Sequence, residues 1–248
     1  LPLFFLFLFQ MLTFLSASSI EVNNTEIDSL TRLLNQKTGI DKIAFELDIA
    51  LDIINSDKEQ ALIFTNSALS ASKTLANKNL EIRSYYTLGR IYTDMGKNSL
   101  AVANFDTALY IAEETADIEY KADILFRRGV VEHRLGEDIQ ALKSFNASVI
   151  SGLLSENFRI MGASYSMMGT IWRMNGKYDQ AIEYIIKSKL NYEKAGFTEG
   201  HGWATYLLGR IYFDLKLFVT ALDYFQEALK IYRGLAFVDG NRNGIAIC

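Results

Sequence analysis

Five alanines, Ala61, Ala101, Ala141, Ala181 and Ala221, stand forty residues apart, and four glycines, Gly89, Gly129, Gly169 and Gly209, keep the same spacing. A fixed period of this length marks an array of one repeated supersecondary unit, in which no copy can bury its apolar face without a neighbour. The uninterrupted register predicts one elongated domain rather than separate globular ones. Pro2 is the sole proline, so no proline-rich linker divides the chain.

Counted from the repeat glycine, an aromatic follows at plus three (Tyr92, Trp172, Tyr212) and a second glycine at plus seven (Gly96, Gly136, Gly176). Alanine comes at plus twelve, an apolar residue at plus sixteen (Phe105, Phe145, Ile185, Phe225) and a small residue at plus nineteen (Ala108, Ser148, Ser188, Ala228). Offsets zero, three and seven share one face of a helix, and twelve, sixteen and nineteen share one face of another. Each repeat is thus a helix pair. The glycine and alanine positions let the helices approach closely, the bulky positions fill the space beside the crossing, and the plus-seven glycine suits the left-handed residue past a helix end. Turns are predicted near Ser56, Gly96, Gly136, Gly176 and Lys216.

This order of residues resembles the tetratricopeptide repeat, from about residue 40 to residue 248. The resemblance implies an all-α fold, a right-handed α-solenoid of antiparallel helix pairs with about 40 residues per repeat. Helical pairs of the HEAT type share the period but not the Gly-aromatic-Gly-Ala-Phe order. Three positions depart from the pattern, and one of its usual features is missing throughout. Ile49 replaces the first glycine, Glu132 stands where the aromatic belongs, Lys216 replaces the last plus-seven glycine, and no proline closes a second helix.

Residues 1–19 read as a signal peptide or membrane anchor: Leu1 to Leu15 are almost wholly apolar and Ser16-Ala17-Ser18-Ser19 follow. A buried capping helix is the third reading. Residues 20–39 form an N-terminal capping region, with Ile27, Leu30, Leu33 and Leu34 on one face of a helix over 26–36. Residues 40–248 are the array, five repeats and the start of a sixth at Gly240 to Ala246. The array is expected to continue beyond Cys248, which then serves as a small apolar core residue.

With a formal charge of −4, general attraction to nucleic acid is not expected. One cysteine excludes an internal disulfide framework. His133 and His201 lack companions at metal-ligand spacing. Gly96-Lys97-Asn98-Ser99 has the wrong spacing for a phosphate loop, Gly200-His201-Gly202 lacks a third glycine, and adjacent Glu113 and Glu114 do not converge on a helix. No enzyme, cofactor or metal is expected.

Function is therefore placed on the concave face that stacked pairs line with their first helices. The register aims Arg83, Tyr86, Arg90, Phe126, His133, Arg134, Arg173, Trp203, Tyr206, Arg210 and Phe213 there, a peptide-binding groove suited to an acidic, partly apolar partner. A repeat array behind an apolar leader also resembles the sensory regions of bacterial membrane signalling proteins. That resemblance implies export to the periplasmic side of the cytoplasmic membrane, attachment through the leader or a downstream helix, and a histidine kinase or DNA-binding output. A stand-alone exported scaffold or adaptor is the alternative.

Overall fold

A computed structural model describes residues 29–118 and 120–239 of the chain, so the leader and the residues from 240 onward lie outside the described part. All of its regular structure among these residues is helical. The chain divides into two compact units between Lys97 and Asn98. The first holds a helical turn over 29–34 (α1), then α2 (Gly39–Ile53), α3 (Lys58–Thr74) and α4 (Lys78–Asp94). The second holds α5 (Asn98–Glu114), α6 (Lys121–Arg134), α7 (Asp138–Leu154), α8 (Phe158–Met174), α9 (Tyr178–Lys194), α10 (Thr198–Asp214) and α11 (Phe218–Asp239).

The forty-residue period has a simple mechanical origin. Helices α8, α9 and α10 are 17 residues each, and three residues separate one from the next. Within each unit, every helix from α2 on packs on its successor, and each first helix also touches the next first helix, α2 on α4, α6 on α8 and α8 on α10. Three helix starts, those of α3, α4 and α8, carry aspartate or asparagine caps. Asp57, Asn77 and Asn157 accept hydrogen bonds from the backbone N–H three residues on, at 2.9, 3.1 and 3.1 Å, satisfying one donor of the first turn.

Helix ends use left-handed residues, as the plus-seven glycines foretell: φ is 71° at Gly96, 78° at Gly136 and 70° at Gly176. The amide of Lys97 reaches back to the Tyr92 carbonyl at 2.8 Å and that of Gly96 to Thr93 at 3.1 Å, closing the last turn. Lys216 adopts the same conformation, φ 63°, with the same pair of bonds from Leu217 and Lys216. A side chain there is strained. Lys216→Gly is expected to stabilise the chain by about 1 kcal/mol, read as a raised midpoint in thermal unfolding. The turns between repeats use left-handed residues too, at Ala76, Ala116, Glu156 and Gly196. Three of those four are not glycine, which hides them from a search for glycine.

The repeat glycines meet the bulky plus-sixteen side chains directly. A Cβ on Gly129 would lie 2.8 Å from the Phe145 ring, one on Gly209 2.6 Å from Phe225, and one on Gly169 2.5 Å from Ile185 Cδ1. The plus-twelve alanines are sealed, four at 0% exposure and Ala221 at 1%. Repeat one reverses the sizes. Ile49 and Thr65, the counterparts of Gly129 and Phe145, are both fully buried, so the large residue has moved from the second helix to the first at conserved volume. Leu34 of α1 is buried in the same cluster as Ile49, Ile53 and Phe64, with Leu30 packed beside it.

A second close crossing lies one helical turn pair away. Gly162 would place a Cβ 2.7 Å from Tyr192 and Gly202 3.2 Å from Tyr232, and both tyrosines are buried. Small plus-nineteen residues serve it: the Ser148 and Ser188 hydroxyls donate to the carbonyls of Ala122 and Gly162 at 2.7 and 2.8 Å. These bonds satisfy buried polar groups and lock the register of each pair.

Candidate interaction face

On α4 of the first unit, Arg83 Nη2 donates to Asp48 Oδ1 of α2 at 2.8 Å, tying one first helix to the next. Tyr86, 8% exposed, is largely taken into the packing, and Arg90 stands with its guanidinium 5.9 Å from the Tyr86 ring. Arg83 is thus already neutralised, while Arg90 is held as a cation over an aromatic face.

In the second unit, Phe126 is half-buried against Phe145, centroids 5.8 Å apart. His133 Nδ1 lies 2.6 Å from Asp138 Oδ1 across the α6–α7 turn, and Arg134 beside it is exposed. Arg173 Nη1 donates to Asp214 Oδ2 at 2.6 Å, again linking consecutive first helices.

The remaining four predicted residues come together on α10. Trp203 stacks on Tyr206 with centroids 5.4 Å apart and planes at 29°, and Tyr206 rests on Phe225 at 5.6 Å. Arg210 lies over the other side of the run, its Cζ 6.0 Å from the Tyr206 centroid and Nη1 donating to Tyr206 Oη at 3.1 Å. Phe213 is 53% exposed and meets Phe218 edge-on. Offsets of three, four and three residues put Trp203, Tyr206, Arg210 and Phe213 along one helix face. The result is a rigid strip of aromatic area with a guanidinium in the middle, able to take apolar groups and a planar anion together.

Sequence reasoning missed the partners of Arg83 and Arg173. The signal was present, because Asp48 precedes Arg83 by 35 residues and Asp214 follows Arg173 by 41, each about one repeat away. Lys189 and Glu227 on α9 and α11 repeat the device at 38 residues. Partial burial and then Lys189 hold the His201 imidazole below its ordinary range, against the pull of Glu193 and Glu227. Glu113 pairs with Lys121 at 3.1 Å, and Glu114 accepts from the Tyr110 hydroxyl, so both adjacent acids have local roles. Among the described residues, no group of three or more His, Cys, Asp or Glu side chains could hold a metal, and no helix is long and apolar enough to cross a membrane.

Tetratricopeptide-repeat profiles match residues 82–115 and 161–234, and solved repeat structures share the fold. This is a tetratricopeptide-repeat chain. Its matched segments cover α8 to α11 nearly in full, including the α10 strip. BtubC (BKLC) from P. vanneervenii is 16% identical with a TM-score of 0.68, covering 87% of this chain and 90% of that one. The apo quorum sensor NprR from B. thuringiensis is 17% identical with a TM-score of 0.64, and the match covers 86% of this chain but 60% of NprR. The apo form of RapI is similar at 17% identity and a TM-score of 0.65, covering 84% of this chain and 59% of RapI. No curated protein sequence matches the chain.

Proposed function

We propose that this tetratricopeptide array binds an extended protein segment along its first-helix faces, and that it is the exported sensory part of a larger signal-transduction protein of histidine-kinase or DNA-binding type. The observation that carries the binding reading is the α10 strip, where Trp203 and Phe213 stay exposed although half of the chain's composition is apolar and a packed array could have covered them. Arg210, held over the Tyr206 ring in the middle of this strip, favours an acidic partner. In NprR and RapI the matching array occupies about three-fifths of a longer chain, which supports a sensory part joined to something else. The near-complete match to BtubC supports the second reading, a stand-alone scaffold. Export rests on the apolar run Leu1 to Leu15 and its small-residue end.

Peptides selected from a random displayed library on the wild-type chain test the face. Selected peptides are expected to be acidic with aromatic or aliphatic side chains. Trp203→Ala and Arg210→Glu variants are expected to weaken them at least about tenfold with helicity unchanged, and added salt should weaken them further. Peptides that bind both variants as well as wild type would remove this face as the site. For export, residues 1–39 fused to alkaline phosphatase are expected to give activity outside the cytoplasmic membrane; activity confined to the cytoplasm would reject that part.

A further inference from the structure

The first unit contains a cavity with a buried acid in its wall. Three residues before the repeat glycine, repeats two, three and five carry Tyr86, Phe126 and Tyr206, and in repeats three and five that ring packs on the plus-sixteen Phe145 or Phe225. Repeat one carries Glu46 and Thr65 at these places. Beside Glu46 a cavity of about 410 Å³ opens between the start of α2 and the end of α3, lined among others by Lys42, Ile43, Ser67, Ala71 and Leu75.

Glu46 is 6% exposed, and among the described residues its hydrogen-bond donor is the Ser67 hydroxyl, 3.1 Å from Oε1. An ionised carboxylate can accept about four hydrogen bonds, so most of its capacity is unused. Burial pushes the Glu46 carboxyl up, while Ser67 and, through space, Lys42 draw it down. A buried acid short of donors at the wall of a cavity is a place where a ligand cation gains what water would otherwise supply. Lys42, one helical turn earlier, brings a positive group to the same space, and Ile43, Ala71 and Leu75 bring apolar walls.

We propose that this cavity binds a small zwitterionic amine, an amino acid with an aliphatic side chain. Its ammonium sits on Glu46, its carboxylate on Lys42, and its side chain against Ile43, Ala71 and Leu75. The volume falls within the range of small-molecule pockets and accommodates a ligand of that size with room for water.

Titration calorimetry on the full chain, with L-leucine as the probe, tests this. Saturable binding is expected with a dissociation constant of order 1 mM or tighter. Two analogues divide the charges: 3-methylbutylamine lacks the carboxylate and 4-methylpentanoate lacks the ammonium, and each is expected to bind at least about tenfold more weakly than leucine. Glu46→Gln keeps the shape and an acceptor for Ser67, and is expected to lower leucine affinity at least about tenfold with an unchanged unfolding midpoint. Should that variant fold poorly, Ala71→Leu narrows the cavity from the opposite wall and is expected to abolish binding. Absence of saturable heat with leucine on the folded wild type, equal binding of the analogues, or leucine affinity unaffected by Glu46→Gln would each overturn the assignment.

Discussion

Gly169→Val is expected to destabilise the second unit by about 3 kcal/mol, lowering the midpoint of its helical unfolding. Even the first added atom would lie 2.5 Å from Ile185 Cδ1 and 3.2 Å from the Ala181 carbonyl oxygen. Ile185 and Ala181 are both at 0% exposure, so neither has free space to retreat into, and the Ala181 contact is to backbone. Valine adds two further methyl groups and a stiff χ1 torsion. Repeat one indicates the remedy, since Ile49 is housed where the plus-sixteen position is the smaller Thr65. Adding Ile185→Thr to Gly169→Val is therefore expected to recover part of the loss in a double-mutant cycle. An unchanged midpoint in the single variant would mean that the helices do not cross at this pair.

Arg128→Met is expected to cost about 2 kcal/mol, because it strips the cation from a buried acid. Glu132 is 5% exposed at a position where other repeats place Tyr92, Trp172 or Tyr212. Its carboxylate accepts from the Ser144 hydroxyl at 2.6 Å and lies 3.3 Å from Arg128 Nε, which is also 3.1 Å from Asp106. The Nε contacts have ion-pair distance without hydrogen-bond alignment, so their contribution is mainly charge. Arg128 is one-third exposed, which places the cost below that of a fully enclosed pair. Chemical denaturation measures it. Glu132→Leu in the same chain should restore stability, since the uncompensated charge is gone; a loss that persists in the double variant would assign the effect to packing of the arginine stem instead.

Glu132 also marks the boundary of what the sequence discloses. Helix number, helix ends and the small-to-large contacts follow from a period and a set of offsets, because in the regular copies each offset keeps one steric role. The plus-seven turns were legible for that reason, and so was the exchange at Lys216. A departure such as Ile49 or Glu132 is visible as an irregularity, but its compensation sits on another helix: Thr65 for the first, Ser144 and Arg128 for the second. The tyrosines that cross Gly162 and Gly202 recur in only two repeats, Tyr192 and Tyr232, too few to stand out from a general aromatic content. For the proposed interaction face, the offsets put the α10 residues on one helix side, and there they lie together. They could not separate arginines held over tyrosine rings from those tied to a carboxylate on another helix. Arg83 and Arg173 have the same offset logic as Arg90 and Arg210, yet they bind Asp48 and Asp214 because an acid one repeat away falls opposite them.

The claim that partners bind the first-helix faces is tested most directly by site-specific photocrosslinking in the cells from which the chain derives. A benzophenone side chain is placed at Phe213 of α10, 53% exposed, and in a second sample at Leu153 of α7, 61% exposed on a second helix. A partner adduct from Phe213, competed by peptides selected on the wild-type chain, is the predicted result, with Leu153 silent. Adducts from Leu153 with none from Phe213 would contradict it and move the binding surface to the second helices.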